Sequence, residues 1–120
     1  MRREGLYLHD IVDAADAIAG FLEGRTKNDF LNDDFFRSAI LQKLMVIGEA
    51  AAKLPESLRA RYPEVPWVDI VGFRNRVVHG YFNLDWDIVW VTAVEQAPEL
   101  RQQIATILKA EFPGSEPPQP

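Results

Sequence analysis

Between Asp33 and Leu54 the apolar residues fall on two sides of one helix. Phe36, Ile40, Leu44, Ile47, Ala51 and Leu54 recur at steps of three and four and form one stripe. Leu41, Met45, Gly48 and Ala52 form a second. A helix that is apolar on two faces has to be covered on both. The segment therefore predicts a central helix, about 33 to 54, with a neighbour on either side. In a chain of 120 residues one of those neighbours can be a second subunit. Asn32 or Asp33 supplies its N-cap.

The flanking segments read as helices too. Tyr7, Ile11, Ala15, Ile18 and Leu22 make an apolar stripe, with Asp10, Asp13 and Asp16 elsewhere and Gly24 as a stop. "TKNDFLNDD" reads as a connector of turn and capping residues, in which Asp29, Asp33 and Asp34 are caps and solvated charges rather than a metal cluster. Pro55, Pro63 and Pro66 bracket a loop with room for one short helix. A third main helix, about 66 to 79, opens on Pro66 and closes at Gly80. Asp85 caps a last one, about 86 to 109, with Trp86, Trp90, Ala93, Ala97, Leu100 and Ile104 as its stripe. Pro98 lies inside that helix and predicts a kink or a split. With no strand signal, the expected fold is all-α. It is an antiparallel bundle of four main helices with a short extra helix before the third, in one domain over 1–112. "PGSEPPQP", 113 to 120, is a proline-rich tail expected to be disordered.

Composition narrows the chemistry. There is no cysteine, hence no thiolate metal site and no cysteine nucleophile, and only two histidines, His9 and His79, of which His9 reads as surface. No signal peptide opens the chain and no apolar run reaches membrane-spanning length, so a cytoplasmic protein without membrane partners is expected. No glycine-rich phosphate loop is present, so the chain itself is not expected to hydrolyse ATP or to carry a cofactor. The net charge of −5 weighs against binding to phosphate backbones. The charge is uneven, however: from 53 to 79, Lys53, Arg59, Arg61, Arg74 and Arg76 outnumber Glu56, Glu64 and Asp69.

That basic stretch ends in "RNRVVHGY", residues 74 to 81. The third helix has apolar residues at 67, 70, 71, 77, 78 and 81, and position 74 falls near the middle of their sector. At about 100° per residue, His79 lies about 140° from Arg74, on the side that carries Gly72 and Asn75. Two readings stay open. In the structural one, a carboxylate satisfies a half-buried Arg74, and His79 is a last-turn residue favoured by the helix dipole. Tyr81 is then a core or rim aromatic. Glu49 is either a solvated charge or the partner of Arg74 or Arg76. In the chemical one, RNA is cut without metal when its 2′-hydroxyl attacks the adjacent phosphate. Histidine moves the proton, and arginine holds the charge that builds on the phosphoryl oxygens. Gly80 lets a backbone approach. Ideal helix geometry opposes this pairing within one chain unless the helix bends at its end or a second subunit completes the site.

"RNRVVHGY" resembles the Arg-x4-His-x-Tyr signature of HEPN domains, specifically the HepT-like toxins of HEPN/MNT toxin–antitoxin pairs. "LHDIVDAADAIAGFLEG" resembles the family's first helix, "VIGEAAAKLPESLRARYPEVPW" its second helix and loop, and "IVGFRNRVVHGYFNLDWDIVW" its active segment, so the likeness spans about residues 5 to 110. The resemblance implies an all-helical homodimer whose two motifs face a shared cleft. By the same resemblance Arg74 and His79 hold the places of the ribonuclease pair and Asn75 that of the orienting polar residue. Tyr81 holds the place of the tyrosine that a partner nucleotidyltransferase modifies with AMP from ATP. On this reading Leu41, Met45, Gly48 and Ala52 belong to the dimer surface, with Glu49 at its edge. The expected function is a metal-independent endoribonuclease toxin acting on RNA. The alternatives are a dimeric module that binds nucleotide or RNA without cutting it, and a regulatory subunit that is only bound and modified.

Overall fold

The structure is a computed structural model, and it describes residues 3–118. Helices α1 (Arg3–Leu22), α2 (Lys27–Leu31), α3 (Asp34–Lys53), α4 (Glu56–Ala60) and α5 (Trp67–Gly80) follow in order. A 3-10 turn, Tyr81–Asn83, leads to α6 (Trp86–Val91), a π-helical turn (Thr92–Gln96) and α7 (Ala97–Glu111). Among the described residues there is no strand, so the chain is the all-α bundle its periodicity predicts. Of the expected tail, residues 113–118 have no helix, and 119 and 120 lie outside the described residues.

Three long helices make the core. α1 packs between α3 and α7, and it buries Leu8, Ile11, Val12, Ala15 and Ile18 against Ile40, Leu44, Ile47 and Ala51 of α3 and Ile104, Ile107 and Leu108 of α7. Asp33 caps α3, its carboxylate accepting from the Phe36 amide, and Asp85 caps α6 in the same way through Asp87. α5 is the edge helix. It packs chiefly on α3, fully burying only Trp67 and Val77, and its outer side carries exposed Val68 and Val78.

The second stripe of α3 is therefore partly covered within the chain. Leu41 and Gly48 are buried, and what covers Gly48 is Arg74 of α5. The sequence expectation that this stripe forms a dimer surface is corrected for these two residues. Met45 and Ala52 remain only half-buried, next to them. Periodicity identifies a face that needs covering but cannot distinguish a helix of the same chain from one of a second copy.

Two further differences have local causes. The connector holds the short helix α2, set by a capping box in which Thr26 Oγ1 accepts from the Asp29 amide and the Asp29 carboxylate from the Thr26 amide. Five residues are too few to show a period, yet their one apolar anchor, Phe30, is fully buried against Phe36, Trp86 and Trp90. The last helix is divided, as Pro98 predicts, into α6 and α7, but not by a loop. The turn before Pro98 widens instead, and the Ala97 amide bonds to the Thr92 carbonyl five residues back. That opens room for the proline ring at the start of α7.

α3 and α5 approach each other closely at Gly48. A Cβ there would lie 2.5 Å from Arg74 Cβ and 3.0 Å from its Cγ, so the stem of Arg74, not a flexible tip, fills the place of a side chain. Gly48→Ala forces α3 and α5 apart. Overpacking costs about 1–3 kcal/mol, and the better helix propensity of alanine offsets it by about 1 kcal/mol. Thermal unfolding followed by circular dichroism should show a melting point lowered by several degrees. Gly20→Ala, at a helical position where a Cβ meets nothing within 4 Å, should not lower it.

Candidate functional site

α5 places the motif on the rim of the bundle. It starts after Pro66, which blocks an earlier start, and stays α-helical through His79 to Gly80. The helix is uninterrupted to its end, so the angle of about 140° between Arg74 and His79 persists. Gly80, at φ −150° and ψ 40°, hands the chain to the 3-10 turn, and among the described residues, its neighbours and own helix backbone aside, nothing comes within 4 Å of where its Cβ would be.

Arg74 points inward, as its position in the apolar sector predicts, but along α3 rather than into the core. Its Nη1 donates to Glu49 Oε1 at 2.8 Å, with the arginine side chain 22% and the glutamate side chain 48% exposed. Glu49 is thus the partner of Arg74 and not of Arg76. The Nε of Arg74 is buried and makes no hydrogen bond, so Glu49 occupies only part of the guanidinium's donor capacity. Glu49 also borders a shallow groove between α1 and α3, with Tyr7, Asp10, Met45 and Lys53 on its other sides.

His79 is exposed and faces elsewhere. It lines an open groove between α5 and α6 with Phe73, Arg76, Asn83, Leu84, Asp85 and Ile88. Asn75 is exposed on the outer side of α5. Tyr81 is 44% exposed, its ring edge-on to Phe82 at 5.6 Å, and Phe82 is 98% exposed. The chain therefore brings Glu49 and Arg74 together, and separately His79 with Arg76, but it does not join the two sets. His9, read as surface, is half-buried in α1.

Most of the positive charge seen between 53 and 79 is neutralised. Arg59 pairs with Glu56, Arg61 with Glu111 and Arg74 with Glu49. Tyr62 also donates to Glu111, at 2.6 Å, and that bond holds the phenol's pKa above its usual value. Sequence reading missed a second inward arginine. Arg101, 5% exposed, holds Asp16 through Nε at 3.0 Å and donates through Nη2 to the Pro118 carbonyl. Only its place beside Leu100 in the last helix's stripe hinted at burial.

Because Glu49 is half in solvent, screening limits its pair with Arg74 to well under about 1 kcal/mol. Glu49→Gln should therefore leave the urea-unfolding midpoint nearly unchanged while freeing the Arg74 side chain to move. A large loss of stability in that variant would mean the pair holds α3 to α5.

Among the described residues, no helix is long and apolar enough to cross a membrane. No solved structure matches the chain. The family described as "Ribonuclease HepT-like" matches residues 11–107. A Methanocaldococcus jannaschii protein named "Putative RNase MJ1216" is 34% identical over 103 residues, which is 86% of this chain and 85% of that protein. "Putative RNase TTE0752" of Caldanaerobacter subterraneus subsp. tengcongensis is 33% identical over 105 residues, covering 88% and 94% of the two chains. "Probable ribonuclease HepT" of Thermococcus cleftensis is 32% identical over 103 residues, 86% and 94% of the two. With the match running through all the long helices and through the whole of "RNRVVHGY", the chain belongs to the HepT-like ribonuclease family.

Proposed function

We propose that the protein is a metal-independent endoribonuclease whose active site forms between two copies of the chain, and that it acts as the toxin of a HEPN/MNT pair. The observation that carries this reading is the split motif. Arg74 is held by Glu49 at the inner rim of α5, whereas His79 stands open on the outer side. That outer side carries Val68, 85% exposed, and Val78, 58% exposed, on the edge helix of the bundle. Two copies meeting there about a two-fold axis bury these valines and bring the His79 of one chain toward the Arg74 of the other. The histidine then takes the 2′-hydroxyl proton as the oxygen attacks phosphorus. Solvent water gives a proton to the leaving 5′-oxygen, and the products are a 2′,3′-cyclic phosphate and a 5′-hydroxyl. Arg74, with donors left over from its bond to Glu49, holds the charge on the non-bridging oxygens. Asn75, exposed one residue after Arg74, orients the phosphate in this reading. Gly80 leaves space beside the histidine.

Tyr81 is the proposed control point. It lies two residues past His79, and its half-exposed ring is accessible to a second protein. A partner nucleotidyltransferase that moves AMP from ATP to its hydroxyl, releasing pyrophosphate, places an anion beside the cleft. That anion competes with RNA for Arg74. One observation favours the alternative of a binding or regulatory subunit: within one chain the two catalytic candidates stand apart. Cleavage assays separate the two readings.

Wild-type protein should cut RNA in EDTA. His79→Ala should lower the rate by about two to four orders of magnitude, and Arg74→Ala by a similar factor, without unfolding. Wild-type rates in either variant, or a strict need for Mg²⁺, would refute the assignment. Val68→Glu combined with Val78→Glu should turn a dimer into a monomer in light scattering and abolish cleavage. Incubation with the partner enzyme and ATP should add AMP to Tyr81. Mass spectrometry that finds the adduct only on Tyr7 or Tyr62 would refute that step.

A further inference from the structure

Most arginines of the chain are committed. Arg25, Arg37, Arg59, Arg61, Arg74 and Arg101 each hold a carboxylate. Among the described residues only Arg3, in the first turn of α1, and Arg76 hold none. Arg76 lies three residues before His79 on a continuous helix, about 60° around it, and both line the α5–α6 groove. The acid in that groove, Asp85, spends a carboxylate oxygen on the cap of α6, accepting from the Asp87 amide at 3.0 Å. At the groove's end the 3-10 turn carries Asn83 in its lining and, next to it, Phe82, an aromatic ring that the chain leaves 98% exposed.

We infer that the α5–α6 groove is a track for single-stranded RNA, in which Arg76 anchors a backbone phosphate next to the one cut and Phe82 stacks on an unpaired base. The inference rests on the ribonuclease reading for its substrate. Its evidence, an uncommitted cation and an exposed ring flanking His79, is separate. An arginine without an internal carboxylate can offer its whole fork of donors to a phosphate, whereas a paired arginine offers only the donors that its acid leaves over. A ring this exposed gains by stacking, and among nucleic-acid bases only an unpaired one offers its face. A duplex keeps its bases stacked on one another and leaves Phe82 bare. The track therefore assigns the enzyme to loops, tails and unstructured RNA.

The test separates binding from cutting. A short fluorescent 2′-O-methyl oligoribonucleotide lacks the attacking hydroxyl and reports binding alone by anisotropy. Wild-type protein should bind the single strand at least tenfold more tightly than the same strand annealed to its complement. Arg76→Gln should weaken single-strand binding about tenfold and reduce the slope of log K against log salt by about 0.7, the loss of one phosphate contact. Arg76→Lys should restore most of that slope. Phe82→Ala should weaken binding about tenfold with the slope unchanged. Arg3→Gln removes the same charge at the other uncommitted arginine and should change neither. Wild-type affinity and slope in Arg76→Gln, an equal loss in Arg3→Gln, or equal binding of duplex and single strand would each overturn the inference. So would a Phe82→Ala variant that sediments as a monomer while the wild type is a dimer, since a second copy of the chain would then cover the ring. Cleavage of ordinary RNA, compared with His79→Ala, judges the ribonuclease reading independently. Loss of binding in Arg76→Gln and Phe82→Ala with no cutting by any form supports the track and refutes the nuclease.

Discussion

The contact between Gly48 and the stem of Arg74 fixes where everything else at the motif can be. A glycine in mid-helix gives up about 1 kcal/mol of helix stability relative to alanine. Here it admits the β- and γ-carbons of an arginine into the space of a side chain. With its stem pinned between two helices, Arg74 has few directions left, and Glu49, one residue after Gly48, meets its head at 2.8 Å. Backbone spacing, side-chain direction and charge are thus set by two adjacent residues of α3. Since α5 is α-helical from Trp67 to Gly80, pinning Arg74 also fixes the facing of His79, and it faces away.

That rigidity gives the chain an electrostatic economy. A net charge of −5 is a poor start for an RNA-binding protein, and the basic residues around the motif are largely cancelled by Glu49, Glu56 and Glu111. Little of the positive charge is left for general attraction, so contacts with phosphate depend on individual side chains in defined places. A surface of this kind holds long polyanions weakly and discriminates by geometry.

Much of this could be read from the sequence, for identifiable reasons. The helices of ten or more residues carry enough turns to show their period, and the 100° arithmetic on 67–81 correctly puts Arg74 inward and His79 outward. Glu49 was among the candidate partners of Arg74, but spacing alone could not choose it over solvent. What stayed hidden depends on who the neighbour is. Leu41 and Gly48 are visibly apolar or small, but nothing in the sequence says that both are buried within one chain, Gly48 by Arg74 of α5. Arg101 meets Asp16 across a separation of 85 residues, beyond the reach of any periodicity. α2 is too short to have a period. The grouping of His79 with Arg76, rather than with Arg74, follows from the same helix arithmetic and becomes meaningful only once α6 supplies the other wall of the groove.

The widened turn at Thr92–Gln96 acts as a phase corrector. Val89, Ala93 and Ala97 are all buried at successive steps of four. Two such steps on an ideal α-helix would drift by about 80°. A turn closed five residues back rotates less per residue and brings the three into line. The long rod from α6 to α7 can therefore present one face to Phe30 and the groove at its start and another stretch of the same face to α1 further along. Such a turn is what a regular helix becomes when it accommodates one inserted residue. Were the turn to close as a plain α-helix with all its residues kept, α6 would swing by about 100° relative to α7. The wall that holds Ile88 and Val89 in the groove with His79 is thus timed by the turn that follows it.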